Sequence, residues 1–241
     1  MSASFDFDGR VVLVTGASGA LGSAVCEAFG AANATVCATD LVEPDDEDAL
    51  LDSDFFDGAD ASFYPGNLTD EGTVEGMIDA VIDDHGRLDV LANVAGTWRG
   101  GTPIHETALD EYEFLLDVNL KTAFLASKHA LPHLRDTDGS IVSVSAKSSL
   151  AGGEGDGPYR ISKAGIRLLT ETIAEENVGT VRANCVMPSV IDTPANREMM
   201  PDADHDAWVD PEAIARTVLV LASDATSVTS GAAVPVYGES S

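Results

Sequence analysis

Short apolar runs alternate with segments of helical periodicity along most of the chain. The runs are rich in β-branched residues, as in Val11-Val12-Leu13-Val14, and turn-forming residues bound them. This alternation predicts a parallel sheet that helices cover on both faces. The predicted strands are 10–15, 34–39, 62–64, 88–93, 140–145, 181–186 and 232–236. The predicted helices are 21–31, 73–85, one or two within 109–134, and 158–176.

The length of the chain and its lack of linkers or internal repeats indicate one unit. Its 241 residues suffice for an α/β domain with a substantial core, so we expect a single domain over 1–241. The stretch 189–209 has no regular periodicity, and loops of that length usually serve a function. We therefore predict a substrate lid at about 189–209.

Acidic charge dominates the composition. The chain has 41 acidic and 13 basic residues, a net charge of −28, and the acidic residues are spread along its length. Such a surface repels nucleic acid and anionic membranes, and no apolar run reaches the ~18 residues of a membrane span. We expect a cytoplasmic protein, because residues 1–6 lack the features of a signal peptide and three scattered cysteines suit a reducing compartment.

The sequence predicts no metal site. The acidic run at 45–48 is more typical of a solvated loop than of a ligand cluster. His129 and His133 have the i, i+4 spacing of one helix face, but no third ligand is evident. A pair of histidines on a helix surface explains that spacing better.

A glycine-rich turn follows the first predicted strand and opens the first helix. Glycines permit a tight turn and a close approach to a pyrophosphate, and the helix N-terminus offers free N–H groups and partial positive charge. An ordinary glycine-rich turn is the alternative, but this position between strand and helix is typical of a dinucleotide site. The predicted cofactor-binding residues here are Gly16, Ser18, Gly19, Ala20, Leu21 and Gly22.

Asp40 ends the second predicted strand, 24 residues after Gly16. An acidic residue at this place binds the adenosine ribose hydroxyls and repels a 2′-phosphate. Neither Ser18 nor Leu41 offers a positive charge for that phosphate. We therefore expect NAD(H) to be favoured over NADP(H), although Asp40 also fits a solvated strand end in so acidic a chain.

Tyr159 and Lys163 stand four residues apart in a predicted helix, so their side chains lie on the same face. A phenol ordinarily loses its proton near about pH 10. The positive charge of the lysine favours the phenolate, so we expect it to lower the pKa of Tyr159 and allow proton exchange near neutral pH. The same spacing also arises by chance, and the phosphate loop is what gives it meaning.

These motifs together resemble those of the short-chain dehydrogenase/reductase family over nearly the full chain. Residues 15–22 resemble the family's Thr-Gly-x-x-x-Gly-x-Gly turn, and Asn93-Val94-Ala95-Gly96 resembles its Asn-Asn-Ala-Gly turn. The other matching features, in the family's order, are Asn119, the pair Tyr159 and Lys163, and the segment 188–193.

The resemblance implies a seven-stranded, doubly wound Rossmann-like fold and an NAD(P)-dependent oxidoreductase acting on a small carbonyl or alcohol. Tyr159 would act as general acid in reduction and as base in oxidation, assisted by Lys163, which would also hold the nicotinamide ribose. Asn119 would hold a water that links the lysine to solvent. The further cofactor contacts implied are Asn67, Leu68, Asn93, Ala95, Gly96, Pro188, Ile191 and Thr193.

One family position departs from the pattern. The family usually has a serine 13 residues before the tyrosine, where it donates a hydrogen bond to the substrate oxygen, and this chain has Ala146 there. Because neighbouring side chains on a strand point to opposite faces, we expect Ser145 to face away from the site. Ser148 is the candidate replacement, reaching in from the loop that follows.

Two alternatives to a carbonyl reductase stay open. The segment 146–150, Ala-Lys-Ser-Ser-Leu, resembles that of dihydropteridine reductases, which reduce a quinonoid pterin with NADH and lack the serine. Trp98 and Trp208 then either stack on a flat substrate or anchor loops. The second alternative is a non-catalytic dinucleotide-binding sensor or scaffold, against which the Tyr159, Lys163 and Asn119 set argues.

The long helices predicted at 109–134 and 158–176 resemble those that pair in the family's oligomers, which implies a homodimer or homotetramer. The alternative is that their apolar residues only pack on the sheet. Those residues include Ala123, Phe124, Ile166, Leu169 and Ile173.

The charge excess resembles that of proteins from salt-accumulating halophiles and generates a stability prediction. Like charges repel one another in the folded protein, and salt screens that repulsion. We predict that the melting temperature falls on transfer from molar KCl to dilute buffer. Thermal unfolding followed by circular dichroism measures it, and an unchanged midpoint would contradict the prediction.

Overall fold

Seven parallel strands form one sheet in the computed structural model, which describes residues 5–239. The strands are β1 (Val11–Thr15), β2 (Thr35–Thr39), β3 (Ala61–Phe63), β4 (Val90–Asn93), β5 (Ser140–Val144), β6 (Arg182–Pro188) and β7 (Ala233–Val236). Every residue of β1, β4 and β5 is buried, as expected for parallel strands that helices cover on both faces. The predicted doubly wound α/β fold is confirmed.

The order of strands in the sheet is β3-β2-β1-β4-β5-β6-β7. The chain therefore places β2 and β3 on one side of β1, and then crosses back to place β4 to β7 on the other side. Thr15 at the end of β1 lies in register with Asn93 at the end of β4. Ligands of such sheets bind in the crevice at this reversal, outside the carboxyl ends of the strands.

Helices cover both faces of the sheet. They are α1 (Ala20–Ala31), α2 (Ser53–Gly58), α3 (Glu71–His85), α4 (Leu109–Leu115), α5 (Thr122–Asp136), α6 (Gly157–Glu176), α7 (Pro194–Met199) and α8 (Pro211–Ala222). One hydrophobic core lies where α1 and α8 pack on one face. A second core lies on the other face, beneath α3, α5 and α6.

The predicted elements are present with ends shifted by at most two residues, but three helices were not predicted. These are α2, α7 and α8. Helix α8 carries visible start signals, since the Asp210 side chain accepts a hydrogen bond from the Glu212 N–H and Pro211 occupies the first turn. The stretch 189–209 is therefore less irregular than predicted, because it contains α7 and a 3₁₀ turn, His205–Ala207.

The region 109–134 is one continuous helical path with a change of winding inside it. A π-helical segment, Leu116–Lys121, joins α4 to α5. The N–H of Thr122 bonds the carbonyl of Asp117, five residues back, which marks the wider turn. Such segments often lie at functional sites, and this one holds Asn119.

Only some of the apolar residues expected to pair α5 and α6 with another copy of the chain are exposed. Ala123, Ile166 and Ile173 are buried in the chain's own core, so for these residues the sheet-packing alternative holds. Phe124 is 48% exposed, and Leu168 on α6 is 53% exposed.

The helices within residues 5–239 are all too short or too polar to cross a membrane. The signal-peptide expectation rests on residues 1–6, of which 1–4 lie outside the described residues. Cys26, Cys37 and Cys185 are each buried, with no disulfide among them.

Candidate active site

Two glycines of the turn between β1 and α1 stand where no side chain fits. Gly16 has a φ of +70°, and a Cβ there would lie 2.7 Å from the Ala95 Cα. A Cβ at Gly22 would lie 1.9 Å from the Gly16 carbonyl oxygen. The turn thus presses against both the start of α1 and the turn after β4, so the two glycines are required by packing.

The N-terminus of α1 fits an anion such as a pyrophosphate. Gly19 is the N-cap, the described side chains provide no cap, and the first turn carries no acidic residue despite the acidity of the chain. A Cβ on Gly19 would meet only the Gly16 carbonyl oxygen, at 3.5 Å, so the approach to this turn is open. Free N–H groups and the helix dipole favour negative charge at such a place.

Asp40 braces this phosphate loop. Its carboxylate accepts hydrogen bonds from the N–H groups of Ser18 at 3.0 Å, Leu41 at 2.7 Å and Val42 at 3.3 Å. The Ser18 hydroxyl donates in turn to the Val42 carbonyl at 2.6 Å. A carboxylate has about four lone-pair positions, so Asp40 keeps capacity to accept from a ribose hydroxyl.

The turn after β4 is tied to β1 through Thr15. The Thr15 hydroxyl oxygen accepts from the N–H groups of Val94 at 3.0 Å and Ala95 at 3.1 Å. The Asn93 amide lies inside the sheet, where it donates to the hydroxyls of Ser127 at 3.0 Å and Ser143 at 3.3 Å. The Asn93 side chain therefore supports the sheet through Nδ2, while its Oδ1 is buried without a partner among the described residues.

Two other expected cofactor contacts, Asn67 and Leu68, have neighbours within the chain. The exposed Asn67 side chain accepts from the N–H and hydroxyl of Thr69, at 3.0 and 2.8 Å. Leu68 is buried in the core beneath α3 and α5.

Asn119, Gly96 and Lys163 meet behind the crevice. A Cβ on Gly96 would lie 2.5 Å from Asn119 Oδ1 and 3.0 Å from Lys163 Nζ, so glycine is needed between them. The Asn119 amide makes three hydrogen bonds: Oδ1 accepts from the Thr97 N–H at 2.9 Å, and Nδ2 donates to the Thr97 and Leu115 carbonyls, each at 3.0 Å. Its side chain holds the π-helical segment against the β4 turn, and Oδ1 keeps one lone pair beyond the bond from Thr97.

Lys163 is fixed to the end of β5 at both its side chain and its backbone. Its Nζ donates to the Val144 carbonyl at 3.0 Å, and its own carbonyl accepts from the Ser145 hydroxyl at 2.8 Å. The side chain is buried, and burial lowers the pKa of Lys163 to about 8 because the charged form loses its solvation. At neutral pH the ammonium still predominates.

The expected direction of the Tyr159 shift is wrong for this structure. The pKa of Tyr159 is raised to about 12, with burial as the largest cause, the Asp156 carboxylate second, and Arg160 acting in the opposite direction. Lys163 Nζ lies 5.9 Å from the centre of the tyrosine ring. Desolvation of the phenolate therefore outweighs the attraction that the spacing of the two residues predicts.

Of the three serines near Ala146, only Ser148 has a hydroxyl available. Ser145 is engaged with the Lys163 carbonyl, which agrees with the expectation that it is turned from the site. The Ser149 hydroxyl points at the Met187 sulfur, 3.8 Å away. The Ser148 Oγ is buried and finds no partner in the part of the chain that the structure describes. A buried polar atom without a partner marks a place for a ligand or water.

The predicted lid, 189–209, has its own fixed contacts. Thr193 caps α7, its hydroxyl oxygen accepting from the Asn196 N–H at 3.1 Å. Arg197 binds Asp192 through two hydrogen bonds of 2.5 and 2.7 Å, and these hold the pKa of Asp192 below its usual value. Ile191, which follows Pro188 and the end of β6, pairs with Val209 at the far end of the segment.

The two tryptophans have intramolecular neighbours. The Trp208 and His205 rings lie 4.4 Å apart, and Trp98 packs over Gly100, where a Cβ would come within 2.8 Å of its ring. Both contacts favour the loop-anchoring interpretation. Across residues 5–239, no group of three or more His, Cys, Asp or Glu side chains is placed to hold a metal ion.

Two side chains beside Tyr159 were missed by the sequence interpretation. Arg160 Nε bonds Asp156 Oδ1 at 2.5 Å, one helical turn away. The i, i+4 spacing of opposite charges around the tyrosine was the signal that could have found them.

Known proteins resemble this chain over almost its entire length. A family model described as enoyl-(acyl carrier protein) reductase matches residues 16–238. The chain is 30% identical to the 3-oxoacyl-[acyl-carrier-protein] reductase FabG of Thermotoga maritima, with 96% of this chain and 97% of that protein covered. It is 32% identical to meso-2,3-butanediol dehydrogenase of Serratia marcescens, with 96% and 94% covered.

Solved structures agree with these matches. A putative gluconate dehydrogenase from Agrobacterium tumefaciens superposes with a TM-score of 0.89 at 27% identity, and 98% of each chain is covered. The sheet order, the phosphate loop and these likenesses have one explanation: the chain belongs to the short-chain dehydrogenase/reductase family of NAD(P)-dependent oxidoreductases.

Proposed function

We propose that this oxidoreductase interconverts a small carbonyl compound and its alcohol, with Tyr159 as the proton donor and acceptor. The observation that carries the proposal is the placement of the Tyr159 ring 5.9 Å from the buried, charged Lys163 Nζ, one turn away on the same helix. The bound nicotinamide supplies or accepts the hydride. The chain's own residues orient the substrate and move its proton.

Tyr159 suits the acid role at neutral pH. With a pKa of about 12 it carries its proton, which is what a carbonyl oxygen requires as negative charge develops on it. In the oxidation direction the phenol must first lose that proton, so alkaline solution favours oxidation. The Lys163 ammonium stabilises the phenolate that each reduction leaves behind.

Ser148 is proposed as the second hydrogen-bond donor to the substrate oxygen. Its buried hydroxyl without a partner supports this role, since such a group gains most from a ligand that accepts its hydrogen. A dihydropteridine-reductase-like activity is the second candidate, favoured by Ala146 at the family's usual serine position. The names of the 3-oxoacyl reductase and the butanediol dehydrogenase above denote carbonyl and alcohol substrates, which supports the first candidate.

NAD(H) is the proposed cofactor in preference to NADP(H). The Asp40 carboxylate is held beside the phosphate loop by the Ser18 N–H, where its charge opposes a 2′-phosphate. Leu41, the next residue, is 69% exposed and offers no compensating charge. The residues proposed to hold the dinucleotide are those of the turn after β1, Asp40, the turn after β4, Lys163 and the start of the 189–209 segment.

The proposal also includes an oligomeric state and a cellular location. The exposed apolar residues Phe124 and Leu168 support a homodimer or homotetramer that pairs α5 and α6 with those of other copies. Three buried cysteines without a disulfide support a reducing, cytoplasmic location.

Replacing Tyr159 by phenylalanine tests the central role. We expect turnover to fall by at least about 10²-fold, because proton transfer is lost while the ring is kept. NADH binding, followed by its fluorescence, should change little. Tyr112→Phe on α4 is the matched control and should keep activity. A Tyr159→Phe protein that turns over normally would refute the mechanism, and a wild-type protein that binds NADH without turnover of any substrate would favour a sensor.

Ser148→Ala separates the two candidate chemistries. For a carbonyl substrate we expect kcat to fall by about 10²–10³-fold, the usual effect of losing one oxyanion donor. Ser149→Ala serves as the control and should have a small effect. Assays in molar KCl with ketones, sugars and a quinonoid dihydropterin measure this. Pterin turnover with the same kcat in Ser148→Ala as in the wild type would favour the second candidate.

Asp40→Asn tests the choice of dinucleotide. Asparagine can still accept from the Ser18 N–H but lacks the charge, so we expect the ratio of kcat/KM for NADPH to that for NADH to rise about tenfold. Asp45→Asn removes one charge from the neighbouring exposed loop as a control. Equal responses of the two variants would show that overall charge, not Asp40, sets the preference.

A further inference from the structure

Arg160 joins three points of the loop between β5 and α6. Besides its bond to Asp156, its Nη1 donates to the carbonyls of Ser148 at 3.3 Å and Ala151 at 3.0 Å. The loop bends closely around the guanidinium, because a Cβ on Gly153 would lie 2.2 Å from Arg160 Cζ. The arginine is thus enclosed by the segment 148–156, called here the clamp loop.

The clamp loop also fixes the loop that faces it. The Gly155 carbonyl accepts from the N–H groups of Gly101 at 2.7 Å and Thr102 at 3.2 Å. Those residues follow Trp98 in the loop after β4. Both loops that border the substrate side of the crevice therefore depend on the same short segment, which Arg160 holds to the first turn of α6.

We propose that the Asp156–Arg160 pair is a positioning device for the reaction: it holds Ser148 in place and balances the charge beside the Tyr159 phenol. The proposal rests on the proposed role of Tyr159. Both side chains of the pair are partly buried, at 15% and 25% exposed, so the interaction is less screened than a surface pair. The guanidinium fork provides what a lysine would not, three hydrogen bonds in fixed directions.

The charge balance follows from the groups around Tyr159. Asp156 raises the pKa of the phenol and Arg160 lowers it, after burial as the main cause. On the π-helical segment packed against α6, Asp117 and Lys121 pair with each other at 3.7 Å, and Lys147 lies over the Tyr237 ring. The other ionisable groups on the elements that pack against α6 are Asp110, Glu111, Tyr112, Glu113, Lys128, His129, His133, Arg135, Asp136, Arg182 and Cys185.

Opposite shifts of the pH profile test the charge role. Arg160→Gln leaves Asp156 unbalanced, which favours the protonated phenol, so the rise of kcat/KM for alcohol oxidation should move to higher pH by ~0.5 unit. Asp156→Asn should move it to lower pH. A purely structural role would lower activity in both variants without opposite shifts. Shifts in the same direction, or none, in an enzyme that turns over would overturn the proposal.

Hydrogen exchange tests the clamp without any turnover. In Arg160→Gln we expect faster amide exchange in residues 148–156 and 100–102, read by mass spectrometry of the full chain in molar KCl. Arg160→Lys keeps the charge but not the fork, so it should show the faster exchange with the wild-type pH profile. Arg167→Gln is the matched control, since Arg167 pairs with Glu171 at 2.5 Å on the same helix.

Each outcome separates this inference from the proposed function. Unchanged exchange in both Arg160 variants would overturn the clamp even where the enzyme is fully active. A Tyr159→Phe protein with normal turnover would remove the proposed function, yet the exchange measurement would still decide whether Arg160 holds the loop.

Discussion

Burial of the Lys163 ammonium is the constraint around which the site is arranged. A charge removed from water must be compensated, and the carbonyl at the end of β5 accepts one of its three hydrogens. The same strand end binds the lysine backbone through Ser145, so the residue is held at both ends. Gly96 leaves space for the ammonium, and Asn119 on the π-helical segment closes it from the other side. Strand, turn and helix thus meet at one cation.

The protonation states on which the proposed acid–base chemistry depends follow from this arrangement. The lysine keeps most of its charge at neutral pH although burial disfavours it, while the neighbouring phenol keeps its proton. The resting site therefore holds, on Tyr159, the one proton that the proposed carbonyl reduction needs. Helix α6 supplies Tyr159, Lys163, Arg160 and, at its N-cap, Asp156, so the geometry of this one helix sets the spacing of all four groups.

The fold was predictable because its signals are local. Apolar runs such as β1 and the glycine turn at 16–22 identify themselves in a few residues, and their order along the chain gives the sheet. The short helices were harder. In α2, which has six residues and no buried side chain, little periodicity can show, and its cap at Asp52 looks like any acid of this acidic chain. The seventh strand, predicted at 232–236, is present at Ala233–Val236.

Sequence motifs nominate the members of the candidate site, but they do not give its energetics. The Tyr159 and Lys163 spacing identifies the pair, yet the direction of the tyrosine shift depends on how much of the chain surrounds the phenol, which no spacing reveals. The uses of the Asn93 and Asn119 amides likewise depend on partners more than 20 residues away, such as Ser127 and Thr97. Sequence motifs name such residues without saying which of their atoms are already occupied.

The attachment of Asp40 to the Ser18 N–H has a consequence for how this protein can change. The carboxylate proposed to discriminate between dinucleotides also accepts the hydrogen bonds that hold the phosphate loop in shape. A substitution there that removes the acceptor would change both the choice of dinucleotide and the shape of the loop. Better use of NADP(H) would then be accompanied by weaker binding of either dinucleotide. The exposed Leu41 is free of that coupling. A change of preference toward the phosphorylated dinucleotide, by engineering or by natural divergence, would therefore disturb the loop less at position 41 than at position 40.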